Sequence, residues 1–243
     1  MERSKIMTWE VADGIGRLTI DNRPQNYLAE PEFLEPDLLR AWTGDPALKG
    51  IIVSGAGRHF SAGADLDRLR EICRNGPDLL SRMKRGREIL DHLDAIEVPT
   101  IAAVEGACFG AGLELALACH IRVCGAGALF AFPEANHGLM PGFGGTQRLP
   151  AAIGPGKAMA MILEGDVVSA EKAGAIGLVD YTAPQRGALD FSISLMKKMV
   201  DGRTPDVIRS VVRSLNNGRA MDRQQALEEE TRLFCELAAA AHE

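Results

Sequence analysis

One predicted helix in the middle of the chain carries a single charged side chain among apolar and small residues. A short apolar run, Thr100 to Val104, leads through a glycine-rich turn, Gly106 to Gly112, into the segment Leu113 to Cys119, where only Glu114 is charged. A helix that is apolar on all sides is normally buried. An ionised carboxylate buried there needs partners, because an unpaired one is costly or becomes protonated. The fold must therefore provide Glu114 with partners, with solvent or with a proton.

Two interpretations of Glu114 stay open from the helix alone. It is either a structural residue whose carboxylate reaches backbone amides or solvent, or a catalytic group. The turn Gly110 to Gly112 favours catalysis, since glycine lets a ligand approach the backbone and a helix start leaves N–H groups unpaired. Such amides suit an oxygen that acquires negative charge. A tight strand-to-helix turn would nevertheless need the same glycines.

Two further segments have similar features. Between His59 and Leu66, small residues follow a strand and a helix begins near Asp65, so this turn either supplies a second backbone donor or only caps the helix. Glu134 follows another predicted strand and precedes the glycine-rich run Gly138 to Gly145. A solvated loop acid is the alternative interpretation of Glu134. However, acid–base chemistry on water needs two carboxylates in differently polar surroundings.

The remaining pattern predicts an α/β core followed by a helical region. The predicted strands are 8–11 and 17–20, which form a hairpin, together with 51–53, 100–104, 120–124 and 128–132. The predicted helices are 65–73, 79–93 and 113–119, with mostly helical structure after residue 145. No fixed-period repeat is visible, although the alternating units are compatible with a repeated superhelix. The one plausible boundary separates residues 1–184 from a helical region at 185–243.

Composition narrows the classes of function. The chain has 243 residues, with 27 basic and 33 acidic side chains and a net charge of −6, which argues weakly against nucleic acid or an anionic membrane as partner. Five cysteines without a C-x-x-C pair indicate reduced thiols rather than disulfides or a zinc site, and no metal-ligand cluster is expected. No apolar stretch is long enough to span a bilayer. We therefore expect a cytoplasmic protein.

Four segments, taken in order, resemble the crotonase (enoyl-CoA hydratase/isomerase) superfamily. They are HFSAGADL at 59–66, PTIAAVEGACFGAGLELALAC at 99–119, FPEANHGLMPGFGGTQRLP at 132–150 and GDVVSAEKAGAIGLVD at 165–180. The resemblance extends from residue 8 to about 235. It implies a superhelix of repeated ββα turns in the core and a C-terminal helical region that builds a homotrimer or a hexamer. It also implies an acyl-CoA thioester as ligand, with coenzyme A as part of the substrate and no separate cofactor.

The resemblance assigns roles by position. The backbone amides of Ala64 and Ala111 would hold the thioester oxygen, and Glu114 and Glu134 would do the acid–base work. Ala111 stands where the family commonly has glycine, a change that keeps the backbone donor. The residues predicted to line the substrate or its coenzyme A portion are Arg23, Asn26, Ala62, Ala64, Asp65, Leu66, Gly110 and Phe143.

The presence of both glutamates favours a hydratase of acyl-CoA and fatty acid metabolism, which adds water across the 2,3-double bond of an enoyl-CoA. An isomerase, decarboxylase or hydrolase of a specialised pathway is the alternative, and a non-catalytic acyl-CoA-binding subunit is a third. Three departures from the family pattern support the specialised reaction: Phe143 in place of a small residue, a short proline-rich segment at 25–50, and the end at Glu243. His120 replaces a usual Asp, and we expect it to be structural.

Overall fold

The computed structural model describes residues 2–75, 78–184 and 187–241. The strands formed by these residues are β1 Glu2–Ser4, β2 Met7–Ala12, β3 Ile15–Ile20, β4 Gly50–Gly55, β5 Thr100–Val104, β6 Ala107–Phe109, β7 Ile121–Gly125, β8 Leu129–Ala131, β9 Val168–Ser169 and β10 Tyr181–Ala183. The helices are α1 Pro36–Thr43, α2 Leu66–Asn75, α3 Leu79–Ala95, α4 Ala111–Leu117, a 3₁₀ helix Pro133–His137, α5 Gly145–Ile153, α6 Pro155–Glu164, α7 Ala170–Ile176, α8 Ala188–Val200, α9 Pro205–Ala220 and α10 Arg223–Ala240.

The larger sheet has the strand order β1-β2-β3-β4-β5-β7-β10. Its first three strands are antiparallel, and the predicted hairpin is confirmed, with Met7 of β2 opposite Ile20 of β3. From β3 onward every pair is parallel. Parallel neighbours need crossover connections, and helices cover the sheet on both sides. All five residues of β5 are accordingly buried, which explains why this strand is a continuous apolar run.

A smaller sheet with the order β6-β8-β9 lies beside the first. The chain passes from β5 to β6 and from β7 to β8, so successive turns give one strand to each sheet. Single-residue bridges from Ser61 to Cys108 and from Leu28 to Ala64 add the turn after β4 to this pattern. The expected α/β architecture of repeated ββα turns is therefore confirmed. The sequence shows no period because the helices that close the turns differ in length.

Four short strands, β1, β6, β9 and β10, were not predicted. We expected a plain glycine-rich turn where β6 lies, and mostly helical structure where β9 and β10 lie. These strands have only two or three residues, which is too short for the alternation that marks a strand in sequence. Their backbone pairing depends on other strands: β1 pairs with β2, β6 and β9 pair with β8, and β10 pairs with β7.

The larger sheet is buried on two faces. Ile51 and Val53 belong to the main apolar cluster, whereas Ile52 of the same strand belongs to a second cluster together with Met196 of α8. Helix α8 is thus a layer of the core, although it lies in the predicted helical region 185–243. By contrast, Leu233 is the buried residue of α10. The boundary itself stays a prediction, and residues 185 and 186 lie outside the described ranges.

Two observations concern the expectations about membrane spans and cysteines. Among the helices of the described ranges, none is long and apolar enough to cross a membrane. Each of the five cysteines is a free thiol, and three of them, Cys108, Cys119 and Cys124, are buried.

The layer formed by α8 leads to a stability prediction. Met196 is fully buried and its sulfur lies directly over Gly50, where a Cβ would come within 2.3 Å of it. We expect Met196→Ala to lower the free energy of unfolding by about 2–5 kcal/mol, because it leaves a cavity against the sheet. Lys197→Ala, next to it on the exposed side, is the control, with an expected change within about 0.5 kcal/mol. Urea unfolding of both variants measures this, and equal values would contradict the assignment of α8 to the core.

Candidate active site

The two predicted backbone donors lie on turns that touch each other. The Phe109 N–H donates to the Ser61 carbonyl at 3.0 Å, which aligns the two turns. Gly63 has φ +93°, and a Cβ there would lie 2.7 Å from the Phe109 carbonyl oxygen and 3.6 Å from the Ala111 nitrogen. Only glycine permits both this φ and this approach. The backbone bearing Ala64 is therefore pressed against the backbone bearing Ala111.

Both amides are available as donors. Ala111 is the first residue of α4, where an amide has no acceptor within the helix. In the described part of the chain, neither the Ala64 nor the Ala111 amide makes a backbone hydrogen bond. Paired amides of this kind stabilise a developing oxyanion, each by about 3–4 kcal/mol. The geometry thus fits the predicted site for a thioester oxygen.

Glu114 is buried, with 2% of its surface exposed. Its Oε1 accepts hydrogen bonds from the Phe143 and Gly145 amides, both at 2.7 Å. Burial raises the pKa of this carboxyl above its usual value, whereas the nearby backbone amides of Gly145, Phe143 and Gly142 and the positive charge of Arg148 act against the increase. The contacts with backbone amides expected for a structural Glu are therefore present, and they support the ionised form.

Glu134 has a different environment on the 3₁₀ helix. Gly110 has φ +50°, and a Cβ there would lie 2.7 Å from Glu134 Oε1, so the start of α4 lies against this carboxylate. Its Oε2 is buried and has no hydrogen-bond partner among the described residues. Burial, together with the negative charge of Glu114, raises the pKa of Glu134 to about 7, against an opposing hydrogen bond from its own backbone. Glu134 is thus not a solvated loop acid.

Asn26 and Ala62 lie beside the first turn. The Asn26 side-chain amide donates to the carbonyls of Ala56 at 2.9 Å and His59 at 2.7 Å, and the Asn26 backbone carbonyl accepts from the Ser61 hydroxyl at 2.7 Å. Asn26 is fully buried and shapes the loop next to Ala62, whose amide donates to the Gln25 carbonyl. Its contact with a ligand stays a prediction.

The other residues predicted to line the substrate differ in exposure, from exposed Arg23 to buried Phe143. Asp65 accepts from the amides of Asp67 and Arg68 and thereby caps α2, which begins at Leu66. Arg23 is exposed and pairs with Asp21 at 2.8 Å. The ring of Phe143 packs in the core, where a Cβ at Gly86 would lie 2.7 Å from it. Ligand contacts of these residues stay predictions.

Two organising residues were not identified from the sequence. Ser61 is fully buried, and its hydroxyl accepts from the Gly63 amide at 3.1 Å while donating to Asn26. Arg148 lies close to Glu114 and contacts the turn that holds it. An arginine three residues after a glycine pair is the only trace of this arrangement in the sequence.

His120 takes part in a network away from both glutamates. Its Nδ1 lies 2.9 Å from the Thr100 hydroxyl, and its Nε2 lies 3.3 Å from Asn216 Oδ1. Burial lowers the pKa of its ring. These contacts join β5 to α9 and agree with the structural role expected for His120.

Comparison with known proteins is consistent with this geometry. The model of the family described as enoyl-CoA hydratase/isomerase matches residues 10–243. A probable enoyl-CoA hydratase of Bacillus subtilis is 33% identical over 90% of this chain and 85% of its own length. The fatty acid oxidation complex subunit alpha of Idiomarina loihiensis is 36% identical over 88% of this chain, which spans only 31% of that protein. The crystal structure of an enoyl-CoA hydratase from Bacillus anthracis has a TM-score of 0.86 at 28% identity, covering 94% of this chain and 89% of that one.

The chain therefore belongs to the enoyl-CoA hydratase/isomerase family and has the crotonase fold. Family membership supports an enzyme of the crotonase superfamily. The particular reaction needs a separate argument, because one fold supports several reactions.

The unusual state of Glu134 predicts how stability depends on pH. Its folded pKa of about 7 exceeds the ordinary 4.5, so between these values the folded chain binds more protons than the unfolded chain. The free energy of unfolding therefore falls as pH rises through this window, because of Glu134, and this effect levels off above it. We expect Glu134→Gln to match the parent near pH 5 and to be more stable than the parent near pH 8. Urea unfolding at both pH values tests this, and a stability difference that does not change with pH would contradict it.

Proposed function

We propose that this protein is an enoyl-CoA hydratase, which adds water across the 2,3-double bond of an enoyl-CoA thioester to give a 3-hydroxyacyl-CoA. The observation that carries the proposal is the pairing of two unlike glutamates. Glu114 accepts two backbone hydrogen bonds, whereas Glu134 has a buried oxygen without a partner among the described residues and a pKa of about 7. One group is suited to act as the base and the other as the acid at neutral pH.

The proposed reaction is balanced in atoms and charge. A water molecule held by both carboxylates gives its proton to Glu114 as its oxygen bonds to C3. The electron pair of the double bond moves toward the thioester, and C2 receives the proton of Glu134. Transfer of a proton from Glu114 to Glu134 then restores the starting state. The scheme needs no cofactor beyond the coenzyme A of the substrate.

The negative charge that develops on the thioester oxygen needs stabilisation, which we assign to the amides of Ala64 and Ala111. They lie on touching turns and are free of backbone partners in the described ranges. The dipole of α4 adds a favourable potential at its first residue. The substrate would thus place its carbonyl at the start of α4 and its double bond toward Glu114 and Glu134.

The family description also covers isomerases, and hydration is favoured over isomerisation for a physical reason. An isomerase moves one proton between two carbons and can do so with one carboxylate. Two carboxylates with different hydrogen bonding instead allow one group to accept and the other to donate a proton in a single turnover. The names of the relatives from Bacillus subtilis and Bacillus anthracis support the same reaction.

Loss of the ultraviolet absorbance of the conjugated enoyl-thioester measures hydration directly. Across short, medium-length and cyclic enoyl-CoA substrates, we expect turnover of at least one. Glu134→Gln and Glu114→Gln should each lower kcat by about 10²- to 10⁴-fold, because each removes one proton-transfer group. The matched control is Glu88→Gln, an exposed glutamate on α3, which should retain parental kcat.

Mass analysis of the product separates the reactions. Hydration adds one water, whereas isomerisation leaves the mass unchanged and decarboxylation lowers it. A product of unchanged mass would show that the protein is an isomerase and not a hydratase. Tight binding of the thioester without turnover of any substrate would instead support a non-catalytic acyl-CoA-binding protein.

We further propose that the protein acts in the cytoplasm as a homotrimer or a hexamer. Support comes from apolar side chains exposed on the last two helices, such as Leu215 at 69% and Phe234 at 71%. Multi-angle light scattering should give the mass of three or six chains, and Leu215→Asp combined with Phe234→Asp should lower it. The mass of a single chain for the parent protein would contradict this proposal.

A further inference from the structure

Each nitrogen of the Arg148 guanidinium, on α5, makes a hydrogen bond, and only 9% of the side chain is exposed. Its Nη1 donates to the Phe143 carbonyl at 2.7 Å. Its Nη2 donates to Asp91 at 2.7 Å and its Nε to Asp94 at 3.2 Å, both on α3. Arg148 therefore joins two helices to the turn between the 3₁₀ helix and α5.

That turn holds the base of the proposed reaction. The Phe143 N–H donates to Glu114, while the Phe143 carbonyl accepts from Arg148, so the residue is held from both sides. Its neighbours in the turn are Gly142, Gly144 and Gly145. A glycine-rich segment has many accessible conformations. Something outside the turn must therefore select the conformation in which both amides point at Glu114.

We propose that Arg148 is a positioning residue, which fixes the turn from Phe143 to Gly145 so that its amides stay on Glu114 and keep this carboxylate ionised. This inference rests on the proposed function only for its catalytic consequence. The geometric part concerns Glu114 itself and is testable without any substrate.

The surrounding charges show why the shape of the side chain matters in addition to its charge. Glu114 faces the cation of Arg148 and the carboxylate of Glu134. Arg148 in turn faces Asp91 and Asp94, whose negative charges offset much of its effect at a distance. Its planar group makes several directed hydrogen bonds at once, which the single ammonium of lysine cannot reproduce.

The experiment compares Arg148→Gln and Arg148→Lys with Arg219→Gln. Arg219, on α9, also pairs with Asp94, at 2.9 Å, but does not contact the turn, so it is the matched control. In protein labelled with ¹³C at glutamate carboxyl groups, NMR titration follows Glu114, assigned by the signal missing in Glu114→Gln. We expect the pKa of Glu114 to rise in Arg148→Gln, to rise less in Arg148→Lys, and to stay at the parental value in Arg219→Gln.

Kinetics of hydration provide the second readout. We expect kcat of both Arg148 variants to fall by about 10- to 100-fold with little change in KM, because the base is misplaced while the thioester site is intact. The low-pH limb of the kcat profile should move to higher pH in Arg148→Gln. Arg219→Gln should match the parent in both respects.

The outcomes separate the two proposals. A folded Arg148→Gln variant with parental Glu114 titration would overturn the positioning role, whatever the enzyme catalyses. If the Glu114 titration shifts but the protein hydrates no enoyl-CoA, the positioning role stands and the proposed hydratase function is overturned. If Arg148→Gln does not fold, Arg148→Lys tests the proposal instead. A parental Glu114 titration and a parental kcat in that variant would equally overturn the positioning role.

Discussion

The burial of the Glu114 carboxylate is the constraint on which much of the structure depends. The charge lies in an apolar helix, and its two hydrogen-bond donors come from a turn 29 and 31 residues farther along the chain. Without them the carboxylate would be protonated or would have to reach solvent. Helix α4, the turn at Phe143 and helix α5 must therefore assemble together. The same helix start also presents the Ala111 amide, so the proposed oxyanion donor and the proposed base lie on one element.

The two glutamates differ because they make different contacts with the backbone. Donors converge on Glu114, whereas Glu134 lies against the bare backbone of Gly110 and has an unpaired buried oxygen among the described residues. The negative charge of Glu114 then raises the proton affinity of Glu134 further. Burial raises the pKa of both carboxyls, but backbone amides and the charge of Arg148 oppose the increase at Glu114. In the proposed reaction the surroundings therefore distinguish the acid from the base, since the side chains are chemically identical.

The sequence predicted those parts of the fold and site that stand out from their immediate neighbours in polarity. Glu114 is conspicuous as one charge in an apolar helix, and β5 is conspicuous as an apolar run. The donors at Phe143 and Gly145 were not predicted, because a backbone amide leaves no mark in the sequence. Arg148 was missed for a related reason: its partners Asp91 and Asp94 lie more than 50 residues away. The short strands β6, β9 and β10 depend on pairing rather than on pattern.

The support of the site is local to α3, α4 and α5, even though α9 reaches Asp94. Asp94 pairs with both Arg148 and Arg219, so α9 contacts the carboxylate that helps to hold Arg148. Arg148 has a second carboxylate in Asp91 and a third acceptor in the Phe143 carbonyl. Loss of the α9 contact would therefore leave the guanidinium held at three points. Because the turn that presents the amides is attached to this guanidinium, the geometry at Glu114 is decided within the core and does not require α9.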